Sequence, residues 1–240
     1  MSAPTRASEH VQWLPPAPPD RPSLCAVTGE RGTIWLDAGS SAMHTRQFLE
    51  VLGGEGTARP SHVVLSHSHW DHVLGASELG ATVVAQELTA RYLEALAATD
   101  WSDEALDRRV ASGESSQQHA DNVKAELPSP REVRIALADI VFTDGLTFDL
   151  GGVRVHVRHV GGDHADDSTV MYVEPDGVLF LGDALYEAPS GGYTADRLLP
   201  LIEAVRVFGA ERFVEGHSET VLSRAELDEV IAEATATVER

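Results

Sequence analysis

Ser66-His67-Ser68-His69-Trp70-Asp71-His72 follows directly on Val63-Val64-Leu65. The three preceding residues are continuously apolar, as expected of a short strand covered on both faces. The heptapeptide then lies on the loop leaving that strand. It holds three imidazoles and one carboxylate within six positions. Neutral imidazole and carboxylate are the nitrogen and oxygen ligands of zinc and similar divalent ions. On a regular helix or strand these groups would point in different directions. On a turning loop His67 and His69 can face one point while Asp71 and His72 face a neighbouring one, a geometry that suits two metals. The competing reading is a polar loop that happens to be rich in histidine.

Further along the chain, single His and Asp residues recur at the ends of predicted strands. His164 follows Val153–Val160 through Gly161-Gly162-Asp163, Asp183 follows Val178-Leu179-Phe180-Leu181-Gly182, and His217 follows Phe213-Val214-Glu215-Gly216. Strand ends gathered along one sheet edge are where α/β proteins assemble sites. The glycines let backbone approach a bound ion closely.

With these residues in view the sequence resembles the metallo-β-lactamase-fold hydrolase superfamily over about residues 24 to 220. His67-x-His69-x-Asp71-His72 is similar to its signature motif, and His164, Asp183 and His217 match its remaining ligand positions in order. The resemblance implies an α/β fold, a four-layer αβ/βα sandwich with metals at one edge. It implies that His67, His69 and His164 hold one ion, that Asp71, His72 and His217 hold a second, and that Asp183 bridges them. Asp37 matches a carboxylate that supports the ligands from behind. The expected cofactor is a pair of divalent cations, zinc ahead of manganese or iron. Where many members read Gly-His-Thr-Pro-Gly-Ser, this chain reads Asp163-His164-Ala165-Asp166-Asp167-Ser168, which places two extra acids beside a ligand.

Around this site the 240 residues read as one domain, 23–240, preceded by a tail, 1–22. Six of the twelve prolines fall in that tail, and Pro15-Pro16-Ala17-Pro18-Pro19 favours extended geometry over a packed element, with Trp13 and Leu14 as tethers. Leu24–Thr28 and Thr33–Asp37 read as a hairpin across Gly29-Glu30-Arg31-Gly32, followed by a helix through Phe48, Leu49 and Leu52. Thr82–Ala85 is a strand. Residues 86–127 show helical spacing and interrupt the strand-rich chain as an insertion of two or three helices, read as a lid, a homodimer contact or a plain elaboration. Strands are expected at Ile135–Phe142, Leu146–Leu150, Val153–Val160, Thr169–Val173, Val178–Leu181 and Arg212–Glu215. Helices are expected near Leu198–Phe208 and after Ser223, whose spacing to Glu226 is a capping box.

The composition narrows the function. Hydrophobic residues make up 42% and charged residues 23% of the chain, ordinary for a globular protein. The formal net charge of −20, with no basic run, disfavours nucleic-acid and anionic-membrane binding. No apolar stretch is long enough to span a membrane. Cys25 stands alone, so an intrachain disulfide is excluded and a buried strand position is its expected place. The N-terminus shows no charged region followed by an apolar one, so a cytoplasmic protein is expected. His10, His44, His62, His119, His156 and His159 read as structural or solvated, with His159 the best placed to support the site.

Two cations sharing a water lower its pKa, so the expected reaction is hydrolysis of an ester, thioester or lactone in a small molecule by a metal-bridging hydroxide. Asp71 is the candidate proton acceptor, and Tyr186 and Tyr193, on the loop after Asp183, are candidate oxyanion donors. A bridging Asp183 fits hydroxyacylglutathione-hydrolase-like and lactonase-like members and speaks against β-lactamases. The alternatives are a small-molecule phosphodiesterase, a β-lactamase-like amidase, a mononuclear iron oxygenase and, in another class, a non-catalytic metal-binding partner protein.

Overall fold

A computed structural model describes residues 5–54 and 56–238. Its first sheet runs in the order β1 (Thr5–Arg6), β2 (Val11–Leu14), β3 (Leu24–Gly29), β4 (Gly32–Leu36), β5 (His62–Val64), β6 (Thr82–Gln86), β7 (Ile140–Phe142). Strands β1 to β4 are antiparallel to their neighbours, and β4 to β7 are parallel. The second sheet takes in β8 (Gly145–Asp149), β9 (Arg154–His159), β10 (Thr169–Glu174), β11 (Val178–Gly182), β12 (Arg212–Glu215) and β13 (Leu222–Ser223). Helices α1 (Ala42–Gly54), α2 (Trp70–Val73) and α3 (Ala76–Leu79) belong to the first half. α4 (Glu87–Ala97), α5 (Asp103–Ser112) and α6 (Gln117–Glu126) form the insertion, and α7 (Ala195–Val207) and α8 (Arg224–Val238) close the chain.

The period-two alternation of the strands divides their side chains between separate cores. Cys25, Val27, Ile34 and Leu36 face inward to meet Val155, Met171, Val173 and Phe180 of the second sheet. Their chain neighbours Leu24, Ala26 and Trp35 point the other way, onto Phe48 and Leu52 of α1 and Leu93 and Leu106 of the insertion. On the outer face of the second sheet, Leu179, Leu181 and Phe213 pack against Leu201 and Val205 of α7 and Leu227 and Ile231 of α8. A helix layer, two sheets and a second helix layer, with a core between each pair, make the four-layer αβ/βα sandwich.

Two expectations are corrected. The segment 1–22 is not a loose tail over its described part. Val11–Leu14 is buried along its length and pairs with β3 from Val11↔Val27 to Leu14↔Leu24, because its alternating Val11, Trp13 and Leu14 fill both neighbouring cores. Residues 1–4 of that segment lie outside the described residues. The strand expected over Ile135–Phe142 shrinks to Ile140–Phe142; Ile135, Ala136 and Ala138 instead pack without a ladder against the helical core. Residues 86–127, read from spacing as two or three helices, hold three, each N-capped by a side chain: Gln86, Ser102 and Ser116.

A buried ion pair locks the N-terminal segment to the insertion. Arg21 Nε donates to both oxygens of Glu126, at 3.1 and 2.9 Å, and its guanidinium also reaches Gln47. Ser40 and Ser41, at the start of α1, donate their hydroxyls to the same carboxylate. His44 lies buried one turn on, and burial, reinforced by Arg21 and His72, lowers its pKa to about 3. As pH falls below its ordinary value of about 6.5, the unfolded chain takes up a proton that the folded chain refuses. Stability is therefore lost as pH drops from there towards 3, by about 2 kcal/mol at pH 5. Urea unfolding at pH 7.5 and 5 should show a smaller acid loss in His44→Gln by that amount; an equal loss in both proteins would refute it.

Candidate metal centre

The loop after β5 carries His67 and His69, and the short helix α2 carries Asp71 and His72, which were expected on the loop; all four gather at the edge where β11 and β12 end. The seven residues singled out from sequence are brought together there in two groups. His67, His69, His164 and Asp183 form one, and Asp71, His72, Asp183 and His217 the other, with the ligand atoms of each group within 4.8 Å of one another. Asp183 Oδ2 is common to both. It lies 3.9 Å from His67 Nε2, 3.4 Å from His164 Nε2, 3.3 Å from His72 Nε2 and 3.6 Å from His217 Nε2. Asp71 Oδ2 closes the second group at 3.4 Å from His72 Nε2 and 3.2 Å from His217 Nε2.

These spacings fit a cation. Nitrogen ligands about 2.05 Å from a tetrahedral ion stand roughly 3.3 Å apart. Among the described residues His67 Nε2, His72 Nε2 and Asp183 Oδ1 are buried without a hydrogen-bond partner, which is costly unless something else satisfies them. The outer nitrogens, by contrast, are engaged. His164 Nδ1 donates to the carbonyl of Glu187, which fixes Nε2 as the lone-pair nitrogen facing the group. His72 Nδ1 lies 2.6 Å from Asp37 Oδ2 and must donate to it, which leaves Nε2 free in the same way.

Asp37 is fully buried at the end of β4, with φ of +63°. Its Oδ1 accepts the Ser66 N–H at 2.6 Å and its Oδ2 the Ser66 hydroxyl at 2.7 Å, so it grips the first residue of the motif as well as the last. Two glycines are required by space. A Cβ on Gly216 would stand 1.9 Å from Asp183 Oδ1, and one on Gly182 would stand 2.7 Å from Ser66 Oγ at a φ of +52°.

Electrostatics separates the two groups. Burial, with His72 and His69 close by, holds His67 well below its ordinary pKa, and burial with His164 lowers His69 to about 4, so both are neutral. Burial opposes charge on His217 too, but its hydrogen bonds to Asp183 and Asp71 outweigh it and raise the pKa to about 10. His72 is likewise raised, against burial, by Asp183, Asp71 and Asp37. Burial also works against ionised Asp71 and Asp183, yet His72 and His217 keep both carboxyls well below their usual range. The second group thus carries two carboxylates that favour positive charge on whatever they enclose.

Tyr186 lines the cavity in front of the cluster, and its oxygen accepts the His217 backbone N–H at 3.1 Å. Tyr193 does not reach it. Its hydroxyl donates to the Leu185 carbonyl and its ring packs on the core beneath α7, so its reading as an oxyanion donor is corrected: the hydrogen bond turns it away. Of the two extra acids, Asp166 is exposed and accepts the Tyr92 hydroxyl, and Asp167 is buried, which raises its pKa. His159 donates to the Asp166 carbonyl, on the loop that carries His164.

Two neighbours of the cluster were not read from sequence. Asp20, in the proline-rich segment, stands 3.8 Å from His217 Nδ1 and accepts a hydrogen bond from Asn122 of α6. Nothing in its local sequence marks it. Glu215 is buried beside Asp183, and burial with that neighbour raises its pKa to about 7. Its place at a strand end, two residues before His217, was the available signal.

The metallo-beta-lactamase superfamily profile matches residues 19–232, and the chain belongs to this family. Among solved structures, a metallo-beta-lactamase from Pontibacter korlensis is 20% identical, with 97% of this chain and 98% of that one covered and a TM-score of 0.65. A metallo-beta-lactamase family protein from Thermus thermophilus is 23% identical over 95% of this chain and 80% of that one, with a TM-score of 0.65. A double mutant of the sec-alkyl sulfatase PisA1 is 14% identical over 98% of this chain and 41% of that one, with a TM-score of 0.71. These likenesses establish a common fold. No curated protein sequence matches the chain significantly. No helix among the described residues is long and apolar enough to cross a membrane.

Proposed function

We propose that this protein is a hydrolase carrying two divalent cations, zinc by preference, that cleaves an ester, thioester or lactone bond in a small cytoplasmic molecule. The observation that carries the reading is Asp183 Oδ2, a single oxygen at the shared vertex of two ligand groups. When bound, two such cations would lower the pKa of a shared water to near neutrality and polarise the scissile carbonyl.

The chain's own residues do the rest. His67, His69 and His164, held neutral or oriented as described, would bind one ion, and Asp71, His72 and His217 the other. Asp71 lines the cavity at the cluster, where its carboxylate would take the proton from the attacking water and return it to the leaving group. The Tyr186 hydroxyl accepts from His217, which leaves its own proton to donate to the developing oxyanion. Burial, with Glu215 and Asp183 nearby, raises its pKa, so the proton is retained for that role.

Metal-loaded protein should be screened with ester, thioester, lactone, phosphodiester and sulfate-ester reporters, with and without chelator. Turnover in the first three classes that a chelator abolishes is the expected result. Turnover confined to the other reporters would replace the reaction class, and turnover indifferent to chelator would remove the metals from it.

A further inference from the structure

A cavity of about 1070 Å³ opens from the cluster towards the insertion, at the upper end of the size that small-molecule sites take. At its metal-bearing part lie His69, Asp71, His164, Asp183 and His217. Other parts of its wall are supplied by α4, α5 and the residues between them, including Ala95, Leu96, Trp101 and Arg109. Arg109 is the single Lys or Arg among the described residues that line it.

The setting of Arg109 is specific. Its guanidinium lies over the Trp101 ring, 5.9 Å from the centroid, and one of its NH groups donates to the Asp100 carbonyl at 3.0 Å. Trp101 is buried, so the shelf beneath the guanidinium is firm. The neighbouring cations of the insertion, Arg108 and Lys124, are paired with Asp100 and Asp107. Arg109 makes no ion pair within 4 Å among the described residues; the Asp100 carboxylate feels its charge but is held by Arg108. Asp20 and Glu114 line the same cavity, but neither pairs with it. A guanidinium held over an aromatic ring with part of its fork unused can take an oxyanion in the plane of its N–H groups.

We propose that Arg109 and Trp101 form a recognition subsite for an oxyanion group of the substrate, a carboxylate or a phosphate, whose apolar body lies along Trp101, Leu96 and Ala95. That the scissile bond then meets the cluster rests on the hydrolase reading above; the subsite itself does not. The substrate class is thus an ester, thioester or lactone with an anionic end remote from the bond that breaks.

Calorimetry on the metal-loaded protein tests this with 4-phenylbutyrate, 3-phenylpropyl phosphate and the neutral 4-phenylbutyramide. The wild type should bind one or both anions more tightly than the amide. Arg109→Met should weaken the anions by roughly tenfold to a hundredfold and the amide by less than about twofold. Arg109→Lys should restore part of the difference, and Trp101→Leu should weaken all three probes. The preferred anion distinguishes a carboxylate from a phosphate end. An anion preference that persists in Arg109→Met would place the anion at the cluster and overturn the proposal, as would failure of the wild type to bind any probe. If Arg109→Met loses anion binding while the reporter screen shows no hydrolysis, the reaction class falls and the subsite stands.

Discussion

Asp183→Asn is expected to lower turnover by about a thousandfold or more and to leave the fold in place. Asp183 is the residue common to both ligand groups, and its Oδ2 lies 3.9 Å from His67 Nε2, 3.4 Å from His164 Nε2, 3.3 Å from His72 Nε2 and 3.6 Å from His217 Nε2. An amide at that position is a neutral, weaker ligand and offers at most one oxygen between two ions, so it removes a full charge from the point where two positive charges must be held close together. A loss of about 4 kcal/mol of transition-state stabilisation corresponds to that factor in rate. The substitution is nearly isosteric, so the contact with Gly216, where no Cβ fits, is kept. Circular dichroism in chelator should match the wild type, while metal analysis of the loaded variant should find less than the wild-type content. Activity within about tenfold of wild type, measured on protein of known metal content, would contradict the bridging assignment.

Asp37 is the second position where a single change should act strongly, and two variants should fail in different ways. Asp37→Ala leaves the Ser66 N–H, the Ser66 hydroxyl and His72 Nδ1 without their acceptor in a fully buried place. Breaking a buried charged hydrogen-bond network costs about 3–5 kcal/mol, so this variant should show a large drop in urea midpoint. Asp37→Asn keeps the volume and the oxygen that accepts from Ser66 N–H. Its NH2 must then sit where Oδ2 was, facing His72 Nδ1. An amide donor there forces the His72 proton onto Nε2, the nitrogen that faces Asp71 and Asp183. That tautomer has no lone pair to offer an ion. Asp37→Asn should therefore fold, hold the ion of the His67 group and lose the other, so that metal analysis reads one ion per chain. Two tightly held ions in this variant would show that His72 does not ligate through Nε2.

The site was more legible in the sequence than its surroundings. Asp183 follows the continuously apolar run Val178–Leu181, His164 follows a strand whose Val153, Val155 and Val157 alternate with polar residues, His217 follows Phe213-Val214-Glu215-Gly216, and the first group sits directly on Val63-Val64-Leu65. Strand ends have nowhere to go but a sheet edge, so linear pattern became spatial proximity. The layering came from the family resemblance and not from the strands themselves; the structure shows its physical basis, with Leu24 and Ala26 turned to one core and Cys25 and Val27 to another. What was hidden depends on partners distant in sequence. Val11-Gln12-Trp13-Leu14 is short and is followed by prolines, and its pairing with β1 and β3 makes it a strand. Asp20 reaches His217 because Arg21 is anchored by Glu126, more than a hundred residues away. Tyr193 carries a hydroxyl on the right loop, yet the turn of that loop gives its proton to Leu185. Ile135 is a strand former, but with Val133, Ala136 and Ala138 it packs on the helix-side core, where apolar surface counts and a ladder does not.

Anomalous scattering from crystals of the metal-loaded protein tests the central claim most directly. Two peaks about 3.5–4 Å apart are expected, one among His67, His69, His164 and Asp183, the other among Asp71, His72, His217 and Asp183. No peak at this sheet edge, or a single peak that excludes Asp183, would contradict the account.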